Sequence, residues 1–362
     1  MDELIMLYIL HTTGQCNLKC KYCGGSFPQK LVPWKIEYNI EDLKNFMEGD
    51  PEPIIAFYGG EPLLNAKFVR KVMDEIRDAK YVIQTNATLI ENLEREYWLR
   101  FNAILLSIDG RRKVTDYYRG RGIYDKVIDA ARKLRRIGYN GDLIARMTVS
   151  EKSKIYAEVK HLESLKLFNH IHWQLNVVWS ERWKNFDEWC KNSYIPGFKK
   201  LVEEWLRNAE KGYVIGITPI LGVLKVEITG KDMESPPCGS GKTSISICSN
   251  GKVYACPIAV DSKWAEIGNI YNNDWRTVGK VSIGDPCIKC QYYRYCGGRC
   301  LYAYMERLWG EEGFRSICRI TKKTIREVVK IAGRVIELIE KGIVVEEEVV
   351  YPKFNNTVEI IP

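Results

Sequence analysis

Apolar residues in the first half of the chain alternate between short continuous runs and longer amphipathic stretches. The short runs predict six β-strands, at residues 4–10, 54–58, 81–85, 103–108, 142–149 and 171–177. Between them, stretches such as residues 65–79 and 124–138 repeat apolar positions at intervals of three and four, which predicts helices. Strands that alternate with helices pair in parallel, so the pattern predicts an α/β fold, either a barrel or an open sheet.

The second half of the chain has a different texture. Residues 181–212 are rich in Trp, Lys and Glu and predict a helical connection. From Pro236 onward, Gly-rich turns and cysteines replace the periodic runs, which predicts a small domain organised by metal. Residues 320–342 predict a long amphipathic helix, and 346–362 an extended docking segment or a loose tail. The predicted domains are therefore 1–180, 181–235, 236–320 and 321–362.

Composition and charge fit a folded protein without a membrane segment. The chain is 46% hydrophobic and 28% charged, which is ordinary for a soluble protein. The first apolar run is too short to cross a bilayer, and the acids before it are unlike a signal peptide, so we expect a cytoplasmic protein with no membrane partner. The net charge of +8 comes from interspersed bases and acids, so we expect a solvated surface rather than a nucleic-acid partner. Abundant Lys, Arg and Glu beside five glutamines is a bias seen in thermophiles.

Twelve cysteines in such a chain indicate metal or redox chemistry rather than a disulfide framework. Cys16, Cys20 and Cys23 directly follow the first predicted strand, in C-x3-C-x2-C spacing. A structural zinc site needs four protein ligands, so this trio is one short. Three thiolates can instead hold one iron–sulfur cube and leave its fourth iron open for the amine and carboxylate of S-adenosylmethionine (SAM). The alternative is a zinc knuckle that borrows a fourth ligand such as His11.

The stretch CNLKCKYC (16–23), with an aromatic residue before the third cysteine, resembles the signature of the radical SAM superfamily. FYGGEPLL (57–64) resembles the family's GGEP motif, and QTNAT (84–88) its TNG stretch, with Ala87 in place of the usual glycine. LSIDG (106–110) and DYYRG (116–120) resemble its later S-x-D-G and H-D-x-x-R stretches. The resemblance implies a partial (β/α)6 barrel with a SAM-binding [4Fe–4S] cluster on the three cysteines. It further implies SAM contacts from Tyr22, Gly59, Gly60, Glu61, Ser107 and Arg119 and a substrate contact from Thr85, while the catalytic base is not identified.

Eight of the remaining cysteines lie between residues 238 and 318, in spacings that resemble the SPASM domain of peptide-modifying radical SAM enzymes. That resemblance implies two auxiliary [4Fe–4S] clusters, and so three clusters in all. The proximal set is one thiol short, so its fourth iron is either open or bound by Cys248. Near Cys248, NGKVYAC (250–256) predicts a hairpin with its turn at Asn-Gly. The alternative for the whole region is a pair of structural zinc sites. The implied ligands are Cys287, Cys290, Cys296 and Cys318 for the distal cluster, and Cys238, Cys256 and Cys300 for the proximal one.

The family implies reductive cleavage of SAM to a 5′-deoxyadenosyl radical, which abstracts hydrogen from a peptide or protein and gives an oxidative modification or crosslink. A carrier such as ferredoxin or flavodoxin would supply the electron. Two features depart from known maturases. A first strand at residue 4 leaves no room for an N-terminal peptide-recognition module, and Pro257 stands where sulfatase-maturing relatives have an acidic base, which disfavours formylglycine formation. The alternatives are maturation of a small cofactor precursor such as a porphyrin or pterin, RNA modification, and a non-catalytic zinc-binding adaptor.

Overall fold

The six predicted strands are all present in the computed structural model, which describes residues 6–178 and 180–350. Residues 4 and 5 of the first predicted strand and residues 351–362 of the predicted tail lie outside the described residues. Three strands follow the predicted six. The strands are β1 (Leu7–His11), β2 (Ile54–Tyr58), β3 (Lys80–Thr85), β4 (Ala103–Ser107), β5 (Asp142–Val149), β6 (His170–Leu175), β7 (Ser244–Ile247), β8 (Lys252–Tyr254) and β9 (Glu266–Asn269).

The helices also follow the predicted pattern, with two differences at the C-terminal end. The predicted helix 320–342 begins earlier, at Gly310, so Cys318 lies inside it. Glu346–Val349 forms a short helix, which corrects the extended or loose segment predicted there. The helices are α1 (Ile40–Met47), α2 (Ala66–Glu75), α3 (Arg95–Trp98), α4 (Arg112–Arg119), α5 (Ile123–Arg136), α6 (Ile155–Ser164), α7 (Phe186–Trp189), α8 (Ile195–Ala209), α9 (Thr218–Thr229), α10 (Tyr293–Cys296), α11 (Leu301–Met305), α12 (Gly310–Glu340) and α13 (Glu346–Val349).

The described residues divide into two compact units. The first contains residues 6–108, 115–144 and 239–282, and the second contains 109–114, 145–238 and 283–350. In the first unit the sheet order is β5-β4-β3-β2-β1-β7-β8-β9. Neighbours from β1 to β4 pair in parallel, as do β1 and β7. The chain passes into the second unit within β5, and β6 is the next strand beyond it.

The core strands are buried along almost their whole length, as the continuous apolar runs predict for parallel strands covered on both faces. The Tyr8 ring packs edge-on against Phe46 of α1, and its hydroxyl donates to Asp50 at 2.7 Å. Residues 8 and 10 of β1 therefore face the helices, and residues 9 and 11 face the opposite side of the sheet. His11 pairs in register with Tyr58, so β1 and β2 end at the same edge.

The predicted hairpin is confirmed. β7 and β8 pair antiparallel, and Gly251 takes a φ of 79° at the turn, a conformation that glycine adopts without steric cost. Because β7 pairs with β1, residues 239–282 belong to the same compact unit as the first strands. The predicted boundaries of the family domains remain predictions. Among the helices of the described ranges, none combines the length and apolar character needed to cross a membrane.

Candidate active site

The first cysteine loop follows β1 at the carboxyl edge of the sheet. Cys16, Cys20 and Cys23 are all partly exposed, and none of them forms a disulfide. Backbone N–H groups already point at two of the sulfurs: Leu18 donates to Cys16 Sγ at 3.5 Å, and Gly25 to Cys23 Sγ at 3.4 Å. Hydrogen bonds to cysteine sulfurs are one of the ways in which proteins tune iron–sulfur clusters, so the loop fits such a cluster.

The Gly-Gly turn after β2 packs directly on this loop. The Gly60 N–H donates to the Thr13 carbonyl at 3.0 Å, and the Glu61 N–H donates to the Gln15 carbonyl at 2.7 Å. A Cβ atom on Gly60 would overlap the Gln15 carbonyl and the Cys16 nitrogen. Gly59 has a φ of 134°, and a Cβ there would overlap the Thr13 carbonyl. Both glycines are therefore required by the close approach of two backbones, and their predicted contact with SAM remains a prediction.

Glu61 is a buried carboxylate that ties the turn to the end of β3. Its side chain is 1% exposed and accepts hydrogen bonds from Thr85 Oγ1 at 2.6 Å, the Asn86 N–H at 2.8 Å and the Leu63 N–H at 3.1 Å. Burial raises the pKa of Glu61 to about 7, while these three donors act to lower it. Thr85, predicted to face substrate, is itself buried and uses its hydroxyl in this network. Its contact with substrate remains a prediction.

Asn86 is a site residue that the sequence reasoning missed. Its side chain donates to Asn17 Oδ1 at 2.8 Å and hydrogen-bonds the Cys16 thiol, and its own Oδ1 accepts from Thr88 Oγ1 at 2.7 Å. The end of β3 therefore supports the cysteine loop from the side. Ala87 follows with a φ of 62°, which explains why the family pattern has glycine at this position.

Tyr22, Ser107 and Arg119 are brought to the same unit as the three cysteines. The Tyr22 ring lies 5.7 Å from the Tyr118 ring, and the Arg119 guanidinium lies 5.5 Å from the Tyr22 centroid, in cation–π geometry. The Lys21 N–H donates to the Tyr118 carbonyl at 2.8 Å, which anchors the cysteine loop beside α4. Ser107 ends β4, and both Ser107 and Arg119 are 8% exposed. Their binding of SAM remains a prediction.

His11, which the zinc alternative names as a candidate fourth ligand, lies among apolar side chains. Its ring is fully buried and packs edge-on against Phe27 and Tyr58, at 5.4 and 5.5 Å. Burial lowers the pKa of His11 to about 4, although the Pro257 carbonyl favours the protonated form. Across residues 6–178 and 180–350, no three His, Cys, Asp or Glu side chains converge on one metal-ion position. In an iron–sulfur cube each thiolate binds its own iron, so a cube would use the three cysteines without His11.

The distal set of cysteines comes together within the second unit. The pKa of Cys296 is raised to about 12, first by burial and then by the nearby thiols of Cys287, Cys318 and Cys290. The pKa of Cys287 is raised by burial and by Cys318 and Cys290, and lowered by Arg307 and Arg299. Four thiols close enough to influence one another, with cations beside them, match the charge pattern expected of a ligand set for an anionic cluster.

Of the predicted proximal ligands, Cys256 lies in the first unit, and Cys238 and Cys300 lie in the second. The Ala303 N–H donates to Cys300 Sγ at 3.5 Å. Cys248 is fully buried in the first unit, where burial raises its pKa to about 12 and the charges of Lys252 and Glu266 act on it. Whether Cys248 closes the proximal set remains a prediction.

The chain is similar in sequence or in fold to several known proteins. Residues 10–152 match the radical SAM superfamily. The chain is 25% identical over 336 residues to a cysteine-type anaerobic sulfatase-maturating enzyme of Clostridium perfringens, covering 82% of this chain and 88% of that protein. The structure of anSMEcpe with bound AdoMet and Cp18Cys peptide superposes with a TM-score of 0.70 at 21% identity, covering 91% of this chain and 99% of the other. The structure of Streptococcus suis SuiB bound to precursor peptide SuiA superposes with a TM-score of 0.52 at 16% identity, covering 85% of this chain and 74% of the other. At these identities the two structures establish the fold alone.

Proposed function

We propose that this chain, a radical SAM enzyme with an α/β partial-barrel fold, abstracts a hydrogen atom from a peptide or protein and so modifies it oxidatively. The observation that carries the proposal is the loop of Cys16, Cys20 and Cys23, with N–H donors on its sulfurs and the Gly-Gly turn packed against it. The sulfatase-maturating relative and SuiB, which was solved with a precursor peptide, support a peptide substrate.

The radical SAM domain implies a [4Fe–4S] cluster and SAM, and we assign the cluster to the three cysteines. When bound, the pair supplies a 5′-deoxyadenosyl radical from one added electron. The chain itself orients these groups. The Asn86 amide and the backbone donors hold the Cys16 and Cys23 sulfurs in place. The ring of Tyr22, next to the third cysteine, contacts Tyr118 and Arg119. A rigid surround keeps the target C–H bond close to the radical and excludes water.

Two auxiliary clusters complete the proposal. Cys287, Cys290, Cys296 and Cys318 hold the distal one, as their mutual proximity supports. Cys238, Cys256 and Cys300 hold the proximal one. Auxiliary clusters of this kind can accept the electron that an oxidised substrate gives up, which favours a crosslink or dehydrogenation as the product. Pro257 follows Cys256 in place of an acidic residue, so formylglycine is not the product that we propose.

The first test removes the three cysteines of the SAM-binding set. After anaerobic reconstitution, the Cys16→Ala, Cys20→Ala, Cys23→Ala triple variant should retain iron in the auxiliary sets and lose SAM cleavage, because no other thiols offer an open iron beside the SAM-binding turn. The measurement is 5′-deoxyadenosine formed with dithionite as reductant, together with iron and sulfide content. Formation of 5′-deoxyadenosine at the wild-type rate by the triple variant would show that the assignment is wrong.

The electron donor that we propose is a small acidic carrier such as ferredoxin or flavodoxin. Residues 14–36, which contain the cluster loop, carry four lysines and no acidic residue, and Lys19, Lys21, Lys30 and Lys35 are all exposed. An acidic carrier would be attracted to these lysines, because complementary charges steer association. Salt screens this attraction and weakens it.

A charge reversal at the two lysines farthest from the cysteines tests this donor surface. Lys30→Glu with Lys35→Glu should slow flavodoxin-driven SAM cleavage severalfold and leave dithionite-driven cleavage unchanged, because dithionite needs no docking surface. Lys67→Glu, an exposed lysine on α2, is the matched control. Equal slowing with both reductants, or none with flavodoxin, contradicts the proposed surface.

A further inference from the structure

The turn between Cys296 and Cys300 places one arginine among the distal thiols. Gly297, Gly298 and Arg299 all have positive φ angles, of 51°, 82° and 71°. The two glycines adopt this conformation freely, whereas at Arg299 it carries a steric cost. The Arg299 N–H donates to the Cys296 carbonyl, and the residue is only 8% exposed. The turn therefore holds a permanent positive charge inside the protein.

The charged groups near Arg299 are thiols. Arg299 interacts electrostatically with Cys300, which is assigned to the proximal set, and with the distal thiols Cys318, Cys296 and Cys287. Within the described residues, its Nη1 atom is buried and has no hydrogen-bond partner. A buried guanidinium is costly unless an anion compensates it, and arginine does not deprotonate in proteins. The position makes physical sense if the four distal thiols carry the negative charge of a cluster.

We propose that Arg299 sets the reduction potential of the distal auxiliary cluster, raising it above the value that the thiolate ligands alone would give. The inference rests on the proposed function, since it takes Cys287, Cys290, Cys296 and Cys318 as cluster ligands. Reduction adds an electron to a group that is already anionic, so a buried cation beside it stabilises the reduced form more than the oxidised form. Arg299 would thereby make the distal cluster a better acceptor for an electron leaving the substrate.

Two other cations lie near the set, but both are more open to water. Lys322 hydrogen-bonds Cys290 and is half-buried on α12, one turn after Cys318. Arg307 acts on Cys287 more strongly than Arg299 does, but its side chain is 31% exposed and is paired with Glu311 at 3.2 Å. Solvent screens an exposed charge more than a buried one. Arg299 is the most buried of the three and acts on Cys318, Cys296 and Cys287, so we expect its charge to be the least screened.

The test is an anaerobic redox titration of the reconstituted full chain, followed by electron paramagnetic resonance. Each cluster should give one reduction wave in the titration, and the distal wave is identified as the one that is lost in Cys296→Ala. Arg299→Gln removes the charge and keeps a polar side chain that is unbranched at Cβ, although it is shorter than arginine. It should decrease the reduced-to-oxidised ratio of the distal cluster at a fixed potential at least tenfold, which is about 59 mV for a one-electron couple. Arg299→Lys should restore most of the shift. Arg294→Gln, a 39%-exposed arginine on α10 paired with Asp232, is the matched control and should leave the wave in place.

The outcomes separate this inference from the function on which it rests. If wild type shows no wave that Cys296→Ala removes, the distal ligand assignment fails. If that wave exists and Arg299→Gln leaves it unmoved, the inference about Arg299 is overturned while the proposed function stands. If Arg299→Gln does not load iron, the decision passes to Lys322→Gln and Arg299→Lys. A charge effect then requires that Lys322→Gln lowers the distal potential by less than the ~59 mV expected of Arg299→Gln. It also requires a near-native potential in Arg299→Lys, and any other result overturns the inference.

Discussion

At the scale of single residues, His11 is a buried side chain whose protonation opposes folding. Its pKa is about 4 in the folded protein because the ring is fully buried, compared with about 6.5 in an unfolded chain. Between these values the unfolded state binds the proton more strongly, so stability is intact above pH 6.5 and is lost as the pH falls toward 4. At pH 5 the loss from this one group is about 2 kcal/mol.

His11→Phe keeps an aromatic ring against Phe27 and Tyr58 and removes the titrating group. Relative to wild type, the variant should gain about 2 kcal/mol when the pH is lowered from 8 to 5. The measurement is the free energy of unfolding of the cluster-free protein, from urea titrations at both pH values. His161→Phe, a partly exposed histidine on α6, is the control and should show a much smaller pH-dependent gain. Parallel pH profiles for wild type and His11→Phe would contradict the prediction.

The residues that could be predicted from sequence are those that occur in a compact motif. Cys16, Cys20 and Cys23 are such a group, since their spacing alone suggests that they bind the same metal centre. The roles of Glu61 and Asn86 could not be predicted in the same way, because their partners come from other strands: Glu61 bonds Thr85 across 24 positions. A sequence can place both residues at strand ends, but only the packed strands show which donors reach a buried carboxylate.

At the scale of elements, the cysteine loop and the turn after β2 depend on each other's backbones. The six strands of the barrel are predictable because each is a continuous apolar run of ordinary strand length. The pairing of β7 with β1 is not, because it joins segments more than 200 positions apart and local periodicity carries no information about such pairs. The contact between the turn and the cysteine loop is likewise a long-range pairing that local periodicity does not predict. A substitution of one glycine tests it.

Gly60→Ala should destabilise the protein by about 1–3 kcal/mol, since the new methyl group overlaps backbone atoms of Gln15 and Cys16 that cannot rotate away. Gly24→Ala, within the cysteine loop, is the matched control, because a Cβ there meets nothing within 4 Å and should change stability by less than about 0.5 kcal/mol. Urea unfolding of the cluster-free variants measures both. Iron content after reconstitution should fall only in Gly60→Ala. Equal stabilities for the two variants would show that the loop does not pack on the turn.

At the scale of the whole molecule, the proposal requires three clusters and therefore about twelve irons per chain. The seven cysteines proposed for the auxiliary clusters leave the proximal set one thiol short, and Cys248 is the nearest spare cysteine in the chain. Its thiol is fully buried in the first unit. Cys248 lies at the start of the hairpin turn, and its backbone N–H donates to the Lys252 carbonyl at 2.9 Å. Burial raises its pKa to about 12, so the thiolate needed for ligation is disfavoured there. A free cysteine in this setting behaves as a small apolar side chain.

Cys248→Ala should therefore leave the iron and sulfide content of the reconstituted protein equal to wild type, with unchanged cluster spectra. The proximal cluster would then keep an iron that no cysteine binds, able to take a substrate thiolate directly. Cys256→Ala is the comparison, because loss of a proposed proximal ligand should remove about four irons. Loss of the same amount of iron from Cys248→Ala would show that Cys248 closes the cluster. The proximal cluster could in that case relay electrons but could not bind substrate, and the chemistry proposed for it would narrow to electron transfer.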